Sequence, residues 1–304
     1  MEGFQAILDS IYTSTKNCEA KGKVASYIPE LENVDPEKFG MYLNFINGED
    51  YSVGDSEIPF SIQSISKVFA LAKAFSLIGD EIWARIDVEP SGNPFNHMSL
   101  LELENGIPRN PLINSGAIVV SDILVSHLKN PKEDFLNYVR TISHDPSINY
   151  SKKIALSEQE SGFNNYAAAN LLKSFDNLQN DVEEVLDFYF HQCSITMNCR
   201  QLSNAFYLFA NRGKCRENHS HLTLNQVKRI NAIMLTCGFY DEAGEFAFEV
   251  GLPGKSGVGG GIVALLPNVF TIATWAPGLN EKGNSLLGMK ALEQFTTKTK
   301  LSIF

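Results

Sequence analysis

The chain begins with apolar residues at helical spacing. Phe4, Ile7, Leu8 and Ile11 recur at intervals of three and four among polar residues. No basic head and no continuous apolar core accompany them, so the pattern is not typical of an export signal. We expect a surface helix.

Two short strand patterns follow near the start of the chain. Residues 41–45 and 51–53 are rich in aromatic and β-branched residues, and Asn47-Gly48-Glu49-Asp50 between them is typical of a tight turn. This segment predicts a β-hairpin.

The spacing of apolar residues then becomes helical from about residue 64 to about residue 225, with Gly, Pro and Asn between the segments. Strand patterns return near the end of the chain. Residues 245–250 alternate polar and apolar, residues 262–266 are continuously apolar, and residues 269–275 follow a Pro-Asn turn. A last helix is predicted at about 284–298.

This order of elements predicts an α+β fold. Strands at both chain ends favour one antiparallel sheet flanked by helices, with an all-helical lobe inserted between the two ends. The predicted sheet subdomain comprises residues 1–65 and 226–304, and the helical subdomain comprises residues 66–225. The cleft between them is the expected place for a site, so the chain forms a single catalytic unit.

Composition narrows the possible partners. The 304 residues carry a formal net charge of −10, which repels polyanions and argues against a nucleic-acid partner. The longest apolar run, near residues 262–275, is broken by Pro267 and Asn268, so no segment reaches the roughly 18 apolar residues of a membrane helix. We expect a soluble, cytoplasmic protein.

The cysteines and histidines give no metal or disulfide pattern. The five cysteines lack a C-x-x-C pair, so we expect them to be reduced and mostly buried. His219 and His221 form the only close histidine pair, in a polar stretch without further ligands at suitable spacing, which favours a loop over a metal site.

Ser64 and Lys67 have the spacing of a nucleophile and its base. A serine hydroxyl needs a base within hydrogen-bonding reach, and a lysine three residues later on a helix lies on the same face. The first helical turn, where we expect Ser64, favours developing negative charge. The tetrapeptide alone decides little, because Ser126 and Lys129 repeat it.

A second motif changes this interpretation. Lys255-Ser256-Gly257 runs into Val258-Gly259-Gly260-Gly261, where small residues would let exposed backbone N–H groups approach a ligand, although a plain hairpin turn has the same composition. S-x-x-K followed much later by K-S-G resembles the superfamily of penicillin-binding proteins and β-lactamases.

A closer resemblance covers about residues 20–295. The blocks FSIQSISKVF, GIPRNPLINSGAI, SEQESGFNNYA, LDFYFHQCSI and GFYDEAGEFAFEVGLPGKSGVGGGI together, in this order, resemble the glutaminase family of that superfamily. The resemblance implies a β-lactamase-like fold, hydrolysis of L-glutamine to L-glutamate and ammonia without a cofactor, and a homo-oligomer, either a dimer or a tetramer.

The resemblance also implies catalytic roles. Ser64 would attack the γ-carboxamide carbon while Lys67 and Tyr240 move protons, and the backbone N–H groups of Ser64 and Val258 would form the oxyanion hole. Lys255 would order the hydrogen bonds of the site, although a surface charge beside a turn is the alternative.

By the same resemblance, the substrate contacts Ser64, Tyr240 and Val258 and a further set of polar residues, namely Tyr27, Gln63, Asn114, Glu158, Asn165 and Tyr189. An acceptor such as Glu158 suits the α-ammonium group, and donors such as Asn114 suit the α-carboxylate. Each of these has a structural alternative. Tyr27 could cap an edge of the core, Tyr240 could be an aromatic residue at the end of a strand, and Asn114 could cap the helix that follows it. Glu158 and Asn165 could be solvated helix residues, and Gln63 and Tyr189 could pack without touching the substrate.

One position departs from the family, which commonly has Asp-Arg where this chain has Phe163-Asn164. We expect an ion pair to be lost there, which puts local stability or an inter-lobe contact in doubt more than the chemistry. Two other functions stay open: a β-lactamase or D,D-peptidase with the same serine chemistry, and a catalytically silent glutamine-binding protein.

Overall fold

The computed structural model describes residues 3–26, 29–91 and 98–304. Its helices are α1 Phe4–Lys16, α2 Pro29–Glu32, α3 Ser66–Ile78, α4 Met98–Leu103, α5 Asn114–His127, α6 Pro131–Ser143, α7 Lys152–Ser161, α8 Phe163–Ser174, α9 Val182–Cys193, α10 Cys199–Ala210, α11 Leu224–Cys237, α12 Ala243–Glu249 and α13 Leu286–Thr299. Its strands are β1 Gly40–Phe45, β2 Asp50–Gly54, β3 Phe60–Ser61, β4 Asn149–Tyr150, β5 Ile195–Met197, β6 Gly254–Ser256, β7 Gly261–Leu266 and β8 Phe270–Trp275.

The main sheet is antiparallel and combines strands from both ends of the chain. Its strand order is β2-β1-β8-β7-β6. Leu43 in β1 lies opposite Tyr51 in β2 and opposite Ile272 in β8, while Val263 in β7 lies opposite Ala273. The predicted hairpin and the predicted pairing of the two chain ends are therefore both present.

Helices cover both faces of this sheet. Successive residues of a strand point to opposite faces, and in β8 Ile272 belongs to the core formed with α1 and α13, whereas Ala273 belongs to the core formed with the helices of the middle region. Burial on both faces explains why β7 is continuously apolar rather than alternating, and why both threonines of β8 are buried as well.

The predicted strand at 245–250 is wrong, because these residues form α12 and the turn that follows it. Phe246 is buried and stacks on Phe239 with ring centroids 3.5 Å apart, while Phe248 is 91% exposed. In a strand these two phenylalanines would share one face, but positions two apart point to nearly opposite sides of a helix. The buried residues Ala243, Phe246 and Val250 are spaced three and four apart, and this helical spacing determines the structure of the segment.

A second, small sheet has two of its three strands, β4 and β5, within the region predicted to be helical. Its order is β3-β5-β4, and Phe60 pairs with Met197 and Ser61 with Thr196. Strands of two or three residues are too short to show a period of two in a sequence. This sheet fixes the backbone immediately before Ser64.

Helix α3 follows directly and is buried on almost every side, packed against α5, α9 and α11. All five cysteines are free thiols, and all except Cys18 are buried, as expected. No helix in the described ranges is both long and apolar enough to cross a bilayer.

Candidate active site

Ser64 lies in a short 3-10 turn, Gln63–Ile65, between β3 and α3. The prediction that Ser64 occupies the first turn of the helix is therefore wrong. Helix α3 begins at Ser66, and Ser64 lies in the 3-10 turn just before it. Gln63 has a φ of 50°, a conformation that a non-glycine residue adopts only when its surroundings hold it there. Ser64 thus sits at a sharply bent entry to a helix N-terminus.

Lys67 occupies the second position of α3 and is only 1% exposed. Its Nζ donates to Asn114 Oδ1 at 2.6 Å and to the Leu112 carbonyl at 3.3 Å. Burial lowers the pKa of Lys67 to about 8, and the nearby Cys193 and Glu158 oppose this shift. The surroundings of Lys67 therefore favour the neutral amine more than water does.

Asn114 is the first residue of α5, whose N-cap is Ile113 without a side-chain cap. Its side chain accepts from Lys67, and its Nδ2 donates to Asn165 Oδ1 at 3.0 Å. The alternative that Asn114 caps its helix is wrong. Instead its amide joins α3 to α8 across the site.

Glu158 is buried at the inner side of α7, and its Oε1 has no hydrogen-bond partner among the described residues. Burial raises its pKa to about 7, although a hydrogen bond with Gln63 and the charge of Lys67 both act to lower the pKa. Asn165 lies on the next helix, α8, and the alternative that Glu158 is a solvated helix residue is wrong because Glu158 is buried. The unpaired carboxylate oxygen leaves room for a donor from a ligand.

Tyr240 begins a 3-10 turn, Tyr240–Glu242, with a φ of 55°. Its hydroxyl is hydrogen-bonded to the side chains of Ser64 and Ser256, and burial raises its pKa to about 12. The backbone in this turn is held in a left-handed conformation that costs of order 1 kcal/mol or more, which is typical of functional positions.

Lys255 lies in β6 and is fully buried, so the alternative of a surface charge is wrong. Its Nζ donates to the carbonyls of Gly238 at 2.9 Å and Ser256 at 2.7 Å and lies 4.5 Å from the centre of the Tyr240 ring. Burial lowers its pKa well below the usual value, and Lys67 adds to this shift. Lys255 thus holds the backbone at Gly238, two residues before Tyr240, and its ammonium group lies against the Tyr240 ring.

The Val258 turn packs directly on the segment that leads to Ser64. A Cβ on Gly259 would lie 2.0 Å from the Ser61 carbonyl oxygen, and one on Gly257 would lie 2.4 Å from that of Ile62. Only glycine permits this approach. In the part of the chain that the structure describes, neither the Ser64 nor the Val258 N–H donates to a backbone carbonyl.

Three predicted substrate contacts remain, namely Gln63, Tyr189 and Tyr27. The structure describes the first two of them. Gln63 Nε2 donates to Ser61 Oγ at 2.9 Å, and Tyr189 in α9 is buried and hydrogen-bonded to Cys193. Tyr27 lies outside the described residues. Among those that are described, no group of three or more His, Cys, Asp or Glu side chains could hold a metal ion.

Comparison with known proteins identifies the family of this chain. The family model described as Glutaminase matches residues 22–304. The chain belongs to the glutaminase family. A glutaminase of Christiangramia forsetii is 56% identical to it over 302 residues, 99% of each chain. One of Saccharophagus degradans is 54% identical over 99% of this chain and 98% of the relative.

Solved structures of glutaminases share the fold. The probable glutaminase ybaS superimposes with a TM-score of 0.93 at 35% identity, covering 99% of this chain and 97% of that one. A probable glutaminase from Bacillus subtilis, solved in complex with 6-diazo-5-oxo-L-norleucine, superimposes with a TM-score of 0.89 at 29% identity, covering 100% and 98%. The predicted family resemblance, the enzyme class and the α+β, β-lactamase-like fold are confirmed.

Three residues beside the glutaminase site were missed by sequence reasoning. Cys193 lies next to Lys67 and Glu158, Ser256 contacts Tyr240, and Asn284 contacts Ser256. Ser256 could have been found, because it is the middle residue of K-S-G. Asn284 carries no sequence signal, since a lone asparagine in a loop is common.

Proposed function

We propose that the chain hydrolyses the side-chain amide of L-glutamine to L-glutamate and ammonia through a γ-glutamyl ester on Ser64. The observation that carries the proposal is the buried Lys67 with a lowered pKa, three residues after a serine whose hydroxyl is hydrogen-bonded to Tyr240. A glutaminase of known structure binds 6-diazo-5-oxo-L-norleucine, an analogue of glutamine, which supports glutamine as the substrate.

In the first half-reaction the Ser64 oxygen forms a bond to the carbonyl carbon of the γ-carboxamide, and the bond between this carbon and the amide nitrogen then breaks. The serine proton passes to the Lys67–Tyr240 pair and from there to the departing nitrogen, which leaves as ammonia. A water molecule attacks the ester in the second half-reaction, and its proton returns to Ser64 as glutamate leaves. Roughly a quarter of Lys67 is neutral half a unit below its pKa of about 8, enough to act as a base.

The two tetrahedral intermediates place a negative charge on the former amide oxygen. We assign the backbone N–H groups of Ser64 and Val258 to this charge, because both are free of backbone partners in the described chain and the glycines hold their segments together. Preorganised donors of this kind typically contribute about 10²–10³-fold each to kcat.

Recognition of the amino acid's α-groups falls to the polar residues around Lys67. Glu158 offers its unpaired Oε1 to the α-ammonium group, and the ligand's charge would stabilise the carboxylate form. The amides of Asn114 and Asn165, together with Gln63, Tyr189 and Tyr27, belong to the same proposal as contacts for the rest of the amino-acid moiety.

No cofactor enters this mechanism, since nucleophile, base and oxyanion donors are all protein groups. The proposal also includes a cytoplasmic location and two subdomains, a sheet subdomain and a helical subdomain, with boundaries near residues 65 and 225.

We further propose that the chain forms a homodimer or a homotetramer. Sedimentation velocity on the purified chain tests this, and a monomer would contradict it.

Labelling with 6-diazo-5-oxo-L-norleucine tests the nucleophile. A diazoketone alkylates a nucleophile held against it, so peptide mass mapping should find the adduct on the peptide that contains Ser64. Ser64→Ala should abolish the adduct, and Ser126→Ala, which alters the other S-x-x-K serine, should leave it intact. An adduct on another residue would contradict the assignment of Ser64.

A further inference from the structure

The loop from Asn280 to Ser285 lies against the reacting groups, although no role in the proposed reaction has been given to it. A Cβ on Gly283 would lie 3.8 Å from Tyr240 Cε2 and 3.9 Å from Val258 Cγ1. The loop therefore lies next to both Tyr240 and the turn assigned to the oxyanion hole.

The side chain of Asn284 in this loop is fully buried and makes three hydrogen bonds. Its Oδ1 accepts from Ser256 Oγ at 2.5 Å. Its Nδ2 donates to the Phe239 carbonyl at 3.3 Å and to Glu242 Oε2. Phe239 immediately precedes Tyr240, so the amide joins the Tyr240 turn to the K-S-G strand.

The partners of Asn284 fix which way its amide points. The Phe239 carbonyl and the Glu242 carboxylate are acceptors only, so the NH₂ group must face them and the oxygen must face Ser256. The Ser256 hydroxyl has one proton, and the short contact with Asn284 Oδ1 uses it. Ser256 is then left with only lone pairs to offer Tyr240.

The direction of the remaining hydrogen bonds follows. Tyr240 must donate its proton to Ser256, and its oxygen can then accept from Ser64 but cannot donate to it. We propose that Asn284, held by Glu242, is a positioning residue that sets this direction along the hydroxyls of Ser64, Tyr240 and Ser256. The inference rests on the proposed function of Ser64 and Tyr240.

The direction matters because it decides what Tyr240 presents to the nucleophile. If Ser256 donated to Tyr240 instead, the Tyr240 proton would turn towards Ser64 and occupy the serine lone pair that must attack the amide carbon. A hydrogen-bonded lone pair is a weaker nucleophile. Asn284 excludes this reversed arrangement without touching the substrate.

The test is a double-mutant cycle on kcat with L-glutamine, using wild type, Asn284→Ala, Ser256→Ala and the double variant. We expect Asn284→Ala to lower kcat about tenfold or more, the scale of a disturbed proton-transfer group, with KM changed far less. Because Asn284 acts through Ser256, the double variant should be hardly slower than Ser256→Ala. Additive losses would overturn the inference.

Lys282→Ala is the matched control. Lys282 lies in the same loop, and its Nζ forms a partly exposed ion pair with Asp241, the residue after Tyr240. In the part of the chain that the structure describes, its side chain makes no hydrogen bond to Asn284, Glu242 or Ser256. We expect the kcat of Lys282→Ala to stay within about threefold of wild type, within the scatter of non-catalytic changes. A loss as large as that of Asn284→Ala would mean that the loop merely supports the fold, and would overturn the inference.

If Asn284→Ala does not fold, as judged by its thermal unfolding, Glu242→Gln replaces it in the cycle. Glutamine keeps the shape but replaces one acceptor oxygen by a donor, so only the longer contact with the Phe239 carbonyl still holds the direction of the Asn284 amide. A loss of kcat that disappears in the Ser256→Ala background supports the inference, and an unchanged kcat overturns it. Failure of the proposed function would give a different result, because the wild type would then release no ammonia from L-glutamine.

Discussion

The lysine of S-x-x-K illustrates how a residue's chemistry depends on where the fold places it. Ser64 and Lys67 could be predicted from spacing, but Ser126 and Lys129 have the same spacing. What distinguishes them is burial. Lys67 is enclosed at the start of α3 with a pKa of about 8, whereas Ser126 is exposed and near the end of α5. The tetrapeptide contains no information about this difference.

The pKa values of two buried groups predict how activity depends on pH. Lys67 acts as a base only when neutral, and this fraction falls as pH drops through about 8. Glu158 binds an ammonium group only as a carboxylate, which is lost as pH falls through about 7. We therefore expect kcat/KM for L-glutamine to fall steadily on the acid side of these values. An optimum on the acid side of the Glu158 pKa would contradict both assignments.

Glu158→Gln should weaken recognition of the α-ammonium group. Glutamine has the same shape but no charge, and a hydrogen bond to a charged group contributes about 1.5–3 kcal/mol, so kcat/KM should fall about tenfold or more. The measurement compares L-glutamine with its N-acetyl derivative, which carries no ammonium. Equal losses on both substrates would contradict the contact.

At the scale of elements, the Val258 turn depends on glycine more strictly than its sequence shows. Gly259→Ala places a Cβ within 2.0 Å of the Ser61 carbonyl, so the turn must move and carry the Val258 N–H with it. Loss of one oxyanion donor predicts a fall in kcat of about 10²-fold. Steady-state kinetics with L-glutamine measures it.

Gly244→Ala is the control for this change. Gly244 lies exposed in α12, and a Cβ there would meet no atom within 4 Å. We expect unchanged kinetics and a stability gain of up to about 1 kcal/mol, because alanine favours helix more than glycine does. If Gly244→Ala lost as much activity as Gly259→Ala, the oxyanion assignment of Val258 would fail.

Helices and strands could be predicted where several consecutive residues followed one hydrophobic period. The prediction failed where tertiary contacts determined the structure of a segment. The hairpin, β7, β8 and α13 follow from their patterns. Residues 245–250 alternate like a strand but form α12, because the stack of Phe246 on Phe239 and the exposure of Phe248 decide the outcome. The three-stranded sheet beside Ser64 was beyond prediction, since its strands are too short to show a period.

At the scale of the whole molecule, the fold is held by buried polar links as well as by the cores. Asp122 in α5 is completely buried, accepts from Arg85 at 2.6 Å and from the backbone N–H groups of Gln179 and Asn180. It ties the centre of the helical region to the connection between α8 and α9.

Asp122→Ala should therefore destabilise the protein by about 3 kcal/mol, because it leaves buried donors without an acceptor. Chemical denaturation measures the loss. Asp187→Ala is the control, since its ion pair with Lys132 is more than 40% exposed on both sides and should contribute less than about 1 kcal/mol. Equal effects of the two changes would contradict the structural role of Asp122.

The residues of the proposed site could be suggested from the sequence, but their contacts could not. Spacing and family resemblance point to Ser64, Lys67, Glu158 and Tyr240, and the structure places Lys67 near Glu158 and Tyr240 in hydrogen-bonding contact with Ser64. The hydrogen bond of Asn114 to Lys67 and the contact of Asn284 with Ser256 join residues 47 and 28 positions apart in the chain. Only the packing of whole elements brings such pairs together.

The most direct test of this account is the release of ammonia and glutamate from L-glutamine by the purified wild type and by Ser64→Ala, with L-asparagine in parallel and no added cofactor. We expect release from glutamine by the wild type only, while Ser64→Ala retains the wild-type fold by circular dichroism. Release by Ser64→Ala at the wild-type rate, or none from glutamine by the wild type, would contradict it.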